Sequence, residues 1–237
     1  MPRLQLNRST VYGFTPRYRF RTASSVAIAA ILFLLRLLSA ENAWAQTRVW
    51  NGSDSSWTTA ANWSPAIVPF LNTDVEINAG ISSLSGANGE SQDVYVGRTA
   101  DSNGTLHTLG AGQLRSRLVY LGDNATGNGG ATVTGLGSKW TVDNGITVGR
   151  FGDGILGIAE CGELILPSGI SYLGREADSL GIVHVDGSGS IWTGGSGSLV
   201  VGRAGEGRLT ILDGGQVTNF GVTVGDLSNS VGDVLMN

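Results

Sequence analysis

The sequence predicts an all-β fold, a right-handed parallel β-helix (β-solenoid) of about 25-residue rungs grouped in double repeats of about 52 residues. Three observations carry this expectation. Glycine supplies 37 of 237 residues, about twice the usual share of roughly 7%. A short phrase of two apolar residues flanking a third and followed by glycine recurs six times: VYVGR, VYLGD, ITVGR, SYLGR, LVVGR and VTVGD. Beyond residue 45 the apolar residues alternate with a period of two, as in Val94/Val96, Ile146/Val148 and Val183/Val185, which is strand patterning.

The marker glycines of the phrase are Gly97, Gly122, Gly149, Gly174, Gly202 and Gly225, spaced by 25, 27, 25, 28 and 23 residues. Every second marker lies 51 to 53 residues on, so the unit is a pair of unlike halves. One half carries Gly-x-Gly-Ser-x-Trp-Thr, at 135–141 and again at 187–193. The other carries a Gly-x-Leu phrase, at 104–114, 154–164 and 207–217. Self-similarity at a fixed period marks a solenoid, a propeller or an array. A propeller blade could use a 52-residue unit, but the visible half-repeat favours three-sided rungs. Stacked at roughly 4.8 Å, six such rungs make a rod about 29 Å long. Inward Val, Ile and Leu ladders hold it together, and glycine recurs where corners need positive φ or close backbone approach.

Taken in order, residues 1–45 read as a signal peptide. Five arginines and no acid precede residue 26, and an apolar stretch follows at 26–38, interrupted by Arg36. Ala43-Trp44-Ala45 then satisfies the small-x-small rule, with cleavage before Gln46. The apolar run of 13 residues is shorter than the roughly 20 that a membrane helix needs. Removing 1–45 takes away six Arg and one Glu and leaves 9 basic against 18 acidic residues. No basic stripe remains, so nucleic acid is not an expected partner.

Residues 46–90 hold three of the six tryptophans, Trp50, Trp57 and Trp63. An open stack exposes apolar core at its first rung, so this stretch is expected to be a cap. Residues 91–237 are the repeats. Residues 230–237 align with 179–186 and stop inside a strand, so a truncated solenoid is expected. Trp140 and Trp192 fall at equivalent places in alternate rungs. Two roles suit them: a large side chain covering a corner, or an aromatic ladder contacting a sugar.

Little points to chemistry. Cys161 is the only cysteine, which excludes an intrachain disulfide, and it reads as a small buried apolar residue. His107 and His184 stand at different phases, with His184 facing outward between two valines. Asp186-Gly187-Ser188-Gly189 has the look of a nucleophile loop, but its counterpart Thr134-Gly135-Leu136-Gly137 lacks both Asp and Ser, so turn chemistry accounts for it. Asp123, Asp143, Asp153, Glu160, Glu163, Asp186 and Asp213 form no clear pair or trio. No catalytic residue, metal ligand or cofactor site is expected.

The signal segment, the opening W-N-G…W…N-W…P…D-V-E-I and the repeats V-x-V-G-R and G-x-G-S-x-W-T together resemble bacterial autotransporter (type V secretion) passenger domains. The repeat is similar to the one these share with PEP-CTERM surface proteins. The resemblance spans about residues 48–237 and implies a non-catalytic passenger, exported and held at the cell surface, at the outer membrane or outside the cell. It implies passage through the export machinery, a C-terminal β-barrel that this chain lacks, and adhesion to host or matrix glycans or proteins. A polysaccharide-acting β-helix enzyme or a carbohydrate-binding module is the alternative. An acidic cluster on one face of adjacent rungs would favour the enzyme.

Overall fold

The computed structural model describes residues 46–237 apart from Ser53, Asn219 and Phe220. Residues 1–45, read from the sequence as a signal segment with expected cleavage positions Ala43 and Ala45, lie outside the described residues; Gln46 opens the first strand.

The chain starts with β1 (Gln46–Trp50), a short 3-10 turn (Ala60–Asn62) and β2 (Trp63–Ser64). Six three-sided turns follow. They are β3 (Thr73–Ile77), β4 (Ala79–Ser85) and β5 (Asn88–Glu90); then β6 (Asp93–Val96), β7 (Asn103–Leu109) and β8 (Gln113–Ser116). Next come β9 (Leu118–Leu121), β10 (Asn128–Thr134) and β11 (Lys139–Val142), then β12 (Ile146–Val148), β13 (Asp153–Ala159) and β14 (Glu163–Leu166). β15 (Ile170–Leu173), β16 (Leu180–Asp186), β17 (Ile191–Gly194), β18 (Ser198–Val201), β19 (Glu206–Leu212) and β20 (Gln216–Thr218) complete the six. β21 (Gly221–Val224) and β22 (Val231–Met236) begin another turn.

Corresponding strands stack in three parallel sheets. The first runs β1-β3-β6-β9-β12-β15-β18-β21, with β2 antiparallel on β1. The second runs from β4 to β22 and the third from β5 to β20, each by every third strand. The expected β-solenoid is the fold, and the double repeat is two of its turns. Because side chains alternate in a strand, each sheet has inner columns, and these are apolar ladders. In the first sheet Val75, Val94, Val119 and Ile146 stack in one and Ile77, Val96, Leu121 and Val148 in another, all fully buried. A few inner places are polar, such as Ser82, Thr108 and Ser171, whose hydroxyls have no hydrogen-bond partner.

The marker glycines sit at the corner between the first and second sheets with φ between 64° and 74°. A second glycine column faces them across that corner, with Gly104, Gly129, Gly154, Gly181, Gly207 and Gly232 each second in its strand. The two columns interlock. A Cβ on Gly149 would lie 2.2 Å from the Leu180 carbonyl oxygen, and one on Gly181 would lie 2.1 Å from that of Val148. The corner is therefore backbone packed on backbone.

The next corner explains why the repeat is double. It has three residues after β7, β13 and β19 but four after β10 and β16. The three-residue corners end on Gly112, Gly162 and Gly215, tight against the preceding turn. The four-residue corners end instead on buried Ser138 and Ser190. Their hydroxyls accept the N–H of Ala111 (3.0 Å) and Cys161 (3.1 Å) in the turn before. Two residues later the chain places Trp140 or Trp192 in the third sheet's inner column, which reads Leu114, Trp140, Leu164, Trp192, Val217. Both tryptophans point into the core and are fully buried. They are not corner covers, and their rings are not offered to a sugar; serine holds the corner and the indole fills the interior.

The Trp-rich start does cover the first turn. Trp63 meets Trp50 and Trp57 edge to face, each at 4.9 Å, and its Nε1 donates to the Trp57 carbonyl at 2.7 Å. All three indoles are buried, which removes them as carbohydrate platforms. The cover is shorter than the 46–90 stretch, since β3–β5 already form a stacked turn and only residues before Thr73 lie over it. At the other end the inner columns emerge, with Val222, Val224 and Met236 exposed.

Candidate functional site

With the interior filled along the rod, its sides meet other molecules through the outward columns, and the three sheets present different chemistry there. On the first sheet the outward column runs Glu76, Tyr95, Tyr120, Thr147, Tyr172 and Val200. Tyr95 and Tyr120 stack at 5.2 Å with their planes 12° apart. The residues after the marker glycines fold back over them. Arg98 lies 4.0 Å from the Tyr95 ring, Arg150 4.9 Å from Tyr120 and Arg175 5.1 Å from Tyr172. Arg98 also pairs with Glu76 at 2.6 Å, and Asp123 stands between Arg98 (3.9 Å) and Arg150 (2.8 Å). Glu176 does the same between Arg175 (3.3 Å) and Arg203 (3.8 Å). The V-x-V-G-R phrase thus writes a strap of rings and alternating charges along the axis. Exposed pairs of this kind contribute about 0–1 kcal/mol each.

Across the whole solenoid, eight of the nine basic residues beyond residue 45 are in ion pairs. The ninth, Arg48, is buried beneath the cap, where it reaches the Gln46 side chain at 3.0 Å. The eight surface cations are thus matched by acids of the same chain.

One pair of carboxylates stands apart. Asp74 and Asp93 occupy equivalent places at the start of β3 and β6, on adjacent turns, and the Asp93 N–H donates to Asp74 Oδ1 at 3.3 Å. Arg117 from the following turn holds Asp93 Oδ2 at 2.6 Å, while Oδ1 is buried without a partner. Burial is the main cause that raises both carboxyls above the usual aspartate range; Arg117 opposes it, and at Asp93 the facing Asp74 charge adds to it. The nearby Tyr95 phenol is pushed up to about 12, by burial first and then by the two aspartates.

A carboxyl raised on folding makes the native state bind more protons than the unfolded chain. Its favourable contribution is complete below the ordinary value of 3.8 and is lost as pH rises through the raised value. Asp74→Asn removes one such group and the like charge facing the other, leaving Glu76, Arg98, Arg117 and Tyr95 around the site. The melting temperature of this variant is expected to fall less than that of the parent between pH 4 and pH 7, as followed by circular dichroism. Parallel pH curves for the two would refute the assignment.

The second sheet has a different outer surface. Its outward columns hold Ile81, Thr105, Gly130, Ile155 and Ile182 in one row and Ser83, His107, Thr132, Gly157 and His184 in the next. Gly130 and Gly157 leave a depression of about 340 Å³, edged by Asn103, Asn128, Asp153, Thr105 and Ile155. His107, in the outward column of β7, is half-buried, and burial lowers its pKa. His184 is exposed and outward, as the sequence suggests. The third sheet is polar outside, with Lys139–Glu163 (2.9 Å) and Arg115–Asp143 (3.2 Å) pairs.

The remaining candidates do not assemble into a reaction centre. Cys161 is not a core residue: it is partly exposed at a corner with φ 67°, and its thiol lies 3.3 Å from the Ser188 carbonyl. Asp186–Gly189 is the neighbouring corner, with Gly187 and Gly189 at positive φ, so it is turn chemistry. Glu160 accepts from the Thr134 hydroxyl at 3.1 Å. Among the described residues, no three or more His, Cys, Asp or Glu side chains are grouped to hold a metal ion, and no helix is long and apolar enough to cross a membrane. The periodicity signalled the glycines and tryptophans, whereas the Asp74–Asp93–Arg117 cluster joins residues 19 to 43 positions apart and needs the register to be seen. No protein-family model, no curated protein and no solved structure matches this chain.

Proposed function

We propose that the chain is an exported β-solenoid that serves as a structural and adhesive stalk at the cell surface or outside the cell, as a passenger of the autotransporter kind, without catalysis. The observation that supports this most directly is the periodic exterior. The same outward positions return turn after turn at roughly 4.8 Å, so one weak contact is multiplied along a stiff face. Among the described residues the interior is filled by apolar ladders and buried indoles, so the repeating outer surface is what the solenoid offers to other molecules. In this reading residues 1–45 engage the export machinery, a β-barrel encoded beyond Asn237 carries the solenoid outward, and surface glycans or matrix proteins are the adhesion partners.

The test is expression of the intact gene in a Gram-negative host. The exported chain is expected to begin at Gln46, to be removed from whole cells by added protease, and to hold coated glycans or matrix proteins when presented in many copies. A full-length chain retained in the cytoplasm sinks the reading.

A second reading, a polysaccharide-acting enzyme, is favoured by one observation, the two raised carboxyls of Asp74 and Asp93 on adjacent turns. Release of reducing ends from acidic or neutral polysaccharides, abolished by Asp74→Asn in a folded chain, would establish it in place of the first.

A further inference from the structure

We propose that the second sheet pairs face to face with the same sheet of a second copy of this chain, with Ile155 of each copy seated in the glycine depression of the other. The inference is independent of what the stalk adheres to. It begins from the contrast between the faces. The first and third sheets carry ion pairs along their outward columns, whereas the second sheet carries one among the described residues, Arg208–Glu206 on β19, and the outward positions of β7, β10, β13 and β16 include only two charged side chains, Asp153 and Asp186. Apolar side chains stand free on this sheet, with Ile155 of β13 52% and Ile81 of β4 49% exposed.

The relief of this face is self-complementary. Ile155 is a projection, and it lies in register beside Gly130 on the neighbouring strand and two residues from Gly157 on its own. A two-fold axis along the strands, passing between β10 and β13, sets each Ile155 opposite the Gly130 of the other copy. A two-fold axis along the solenoid sets each Ile155 opposite the other Gly157. Either way a branched apolar side chain enters a depression of about 340 Å³ that glycine has vacated. The strand-directed axis also places the charged rows of β13, β16 and β19 against β10, β7 and β4, whose outward side chains carry no acid, lysine or arginine. No like charges are brought together.

The area is sufficient. Six strands of seven residues cover about 29 by 23 Å, or roughly 650 Å² on each copy and roughly 1,300 Å² in all. Stable protein pairs bury about 1,200–2,000 Å² in total. Two isologous copies of one patch close the symmetry and leave no further site for growth.

Sedimentation velocity of the purified chain over a concentration series tests this. A monomer–dimer equilibrium is expected. Ile155→Asp and Gly130→Val are each expected to weaken it at least tenfold. Both changes lie on the outer face; a Cβ at Gly130 comes no closer than 3.3 Å to the Thr105 side chain and 3.8 Å to the Gly104 carbonyl oxygen, so the fold is expected to be retained, as circular dichroism would verify. Phe151→Ser, an exposed apolar change beside the first sheet, is expected to leave the equilibrium unchanged. A monomer at every concentration overturns the proposal. So does a dimer that Ile155→Asp leaves intact, or one that Phe151→Ser disrupts equally.

Discussion

Gly181→Ala is expected to cost more than about 4 kcal/mol, a size that single substitutions reach only through severe strain or loss of a buried network. The added methyl would stand 2.1 Å from the Val148 carbonyl oxygen and 2.4 Å from the Gly174 nitrogen. A normal carbon–oxygen approach is about 3.3 Å or more, so the two turns must separate by about 1 Å. Every atom in the way is backbone, so no rotamer change relieves the clash. Separation would also strain the hydrogen bond from the Gly174 N–H to the Val148 carbonyl, 2.9 Å long. The same exchange at Gly157, in the same sheet, is expected to be neutral or mildly stabilising. Its Cβ would meet only a Thr132 methyl at 3.6 Å, and alanine is less costly than glycine in a strand by about 0.5–1 kcal/mol. Urea titration of the two variants beside the parent measures the contrast. Equal stabilities would show that the corner can open and that the glycine column is not a packing requirement.

Trp140→Ala is expected to cost about 3–5 kcal/mol, the usual range for emptying a buried aromatic site. The indole is fully buried between Leu114 and Leu164, and its Nε1 donates to Ser116 Oγ at 2.8 Å. Removing it leaves a cavity in the middle of a ladder and a buried hydroxyl without its donor. Turns of a solenoid contact only their neighbours, so the damage should be local. Hydrogen exchange is expected to accelerate most in β8, β11 and β14 and least in β1 and β3. Uniform acceleration along the chain would mean that the turns unfold as a single unit. Trp140→Leu, which makes the column uniform, should recover part of the loss.

The glycine markers and the period-two alternation made the turns legible from sequence, because a solenoid repeats its local rules. What the sequence concealed was direction. Trp140 and Trp192 follow a glycine-rich run and so read as corner residues, yet the corner closes on Ser138 and Ser190, and strand parity turns the indoles inward. Gly129 and Gly181 each stand second in a strand, and only the register reveals them as members of a column with Gly104 and Gly154. Cys161 was expected in the core because cysteine usually is buried, but it fills a positive-φ corner whose N–H is bound by a serine of the next turn. The outward faces were the least legible. Ion pairs such as Arg150–Asp123 join residues 27 apart, and the Asp74–Asp93 pair spans 19. Neither distance corresponds to a motif.

The alternation of three- and four-residue corners sets the increment by which such a chain can be lengthened or shortened. A tryptophan turn needs a leucine turn on either side, since indoles now two turns apart would otherwise meet at roughly 4.8 Å. The serine of one corner likewise needs the short corner before it to receive its hydroxyl. Deleting a leucine turn would bring two tryptophan turns together and break both relations, whereas deleting an adjacent pair preserves the alternation. Gene duplication and recombination therefore keep both relations intact along the tryptophan-bearing part of this solenoid when they change its length by paired turns, in steps of about 10 Å.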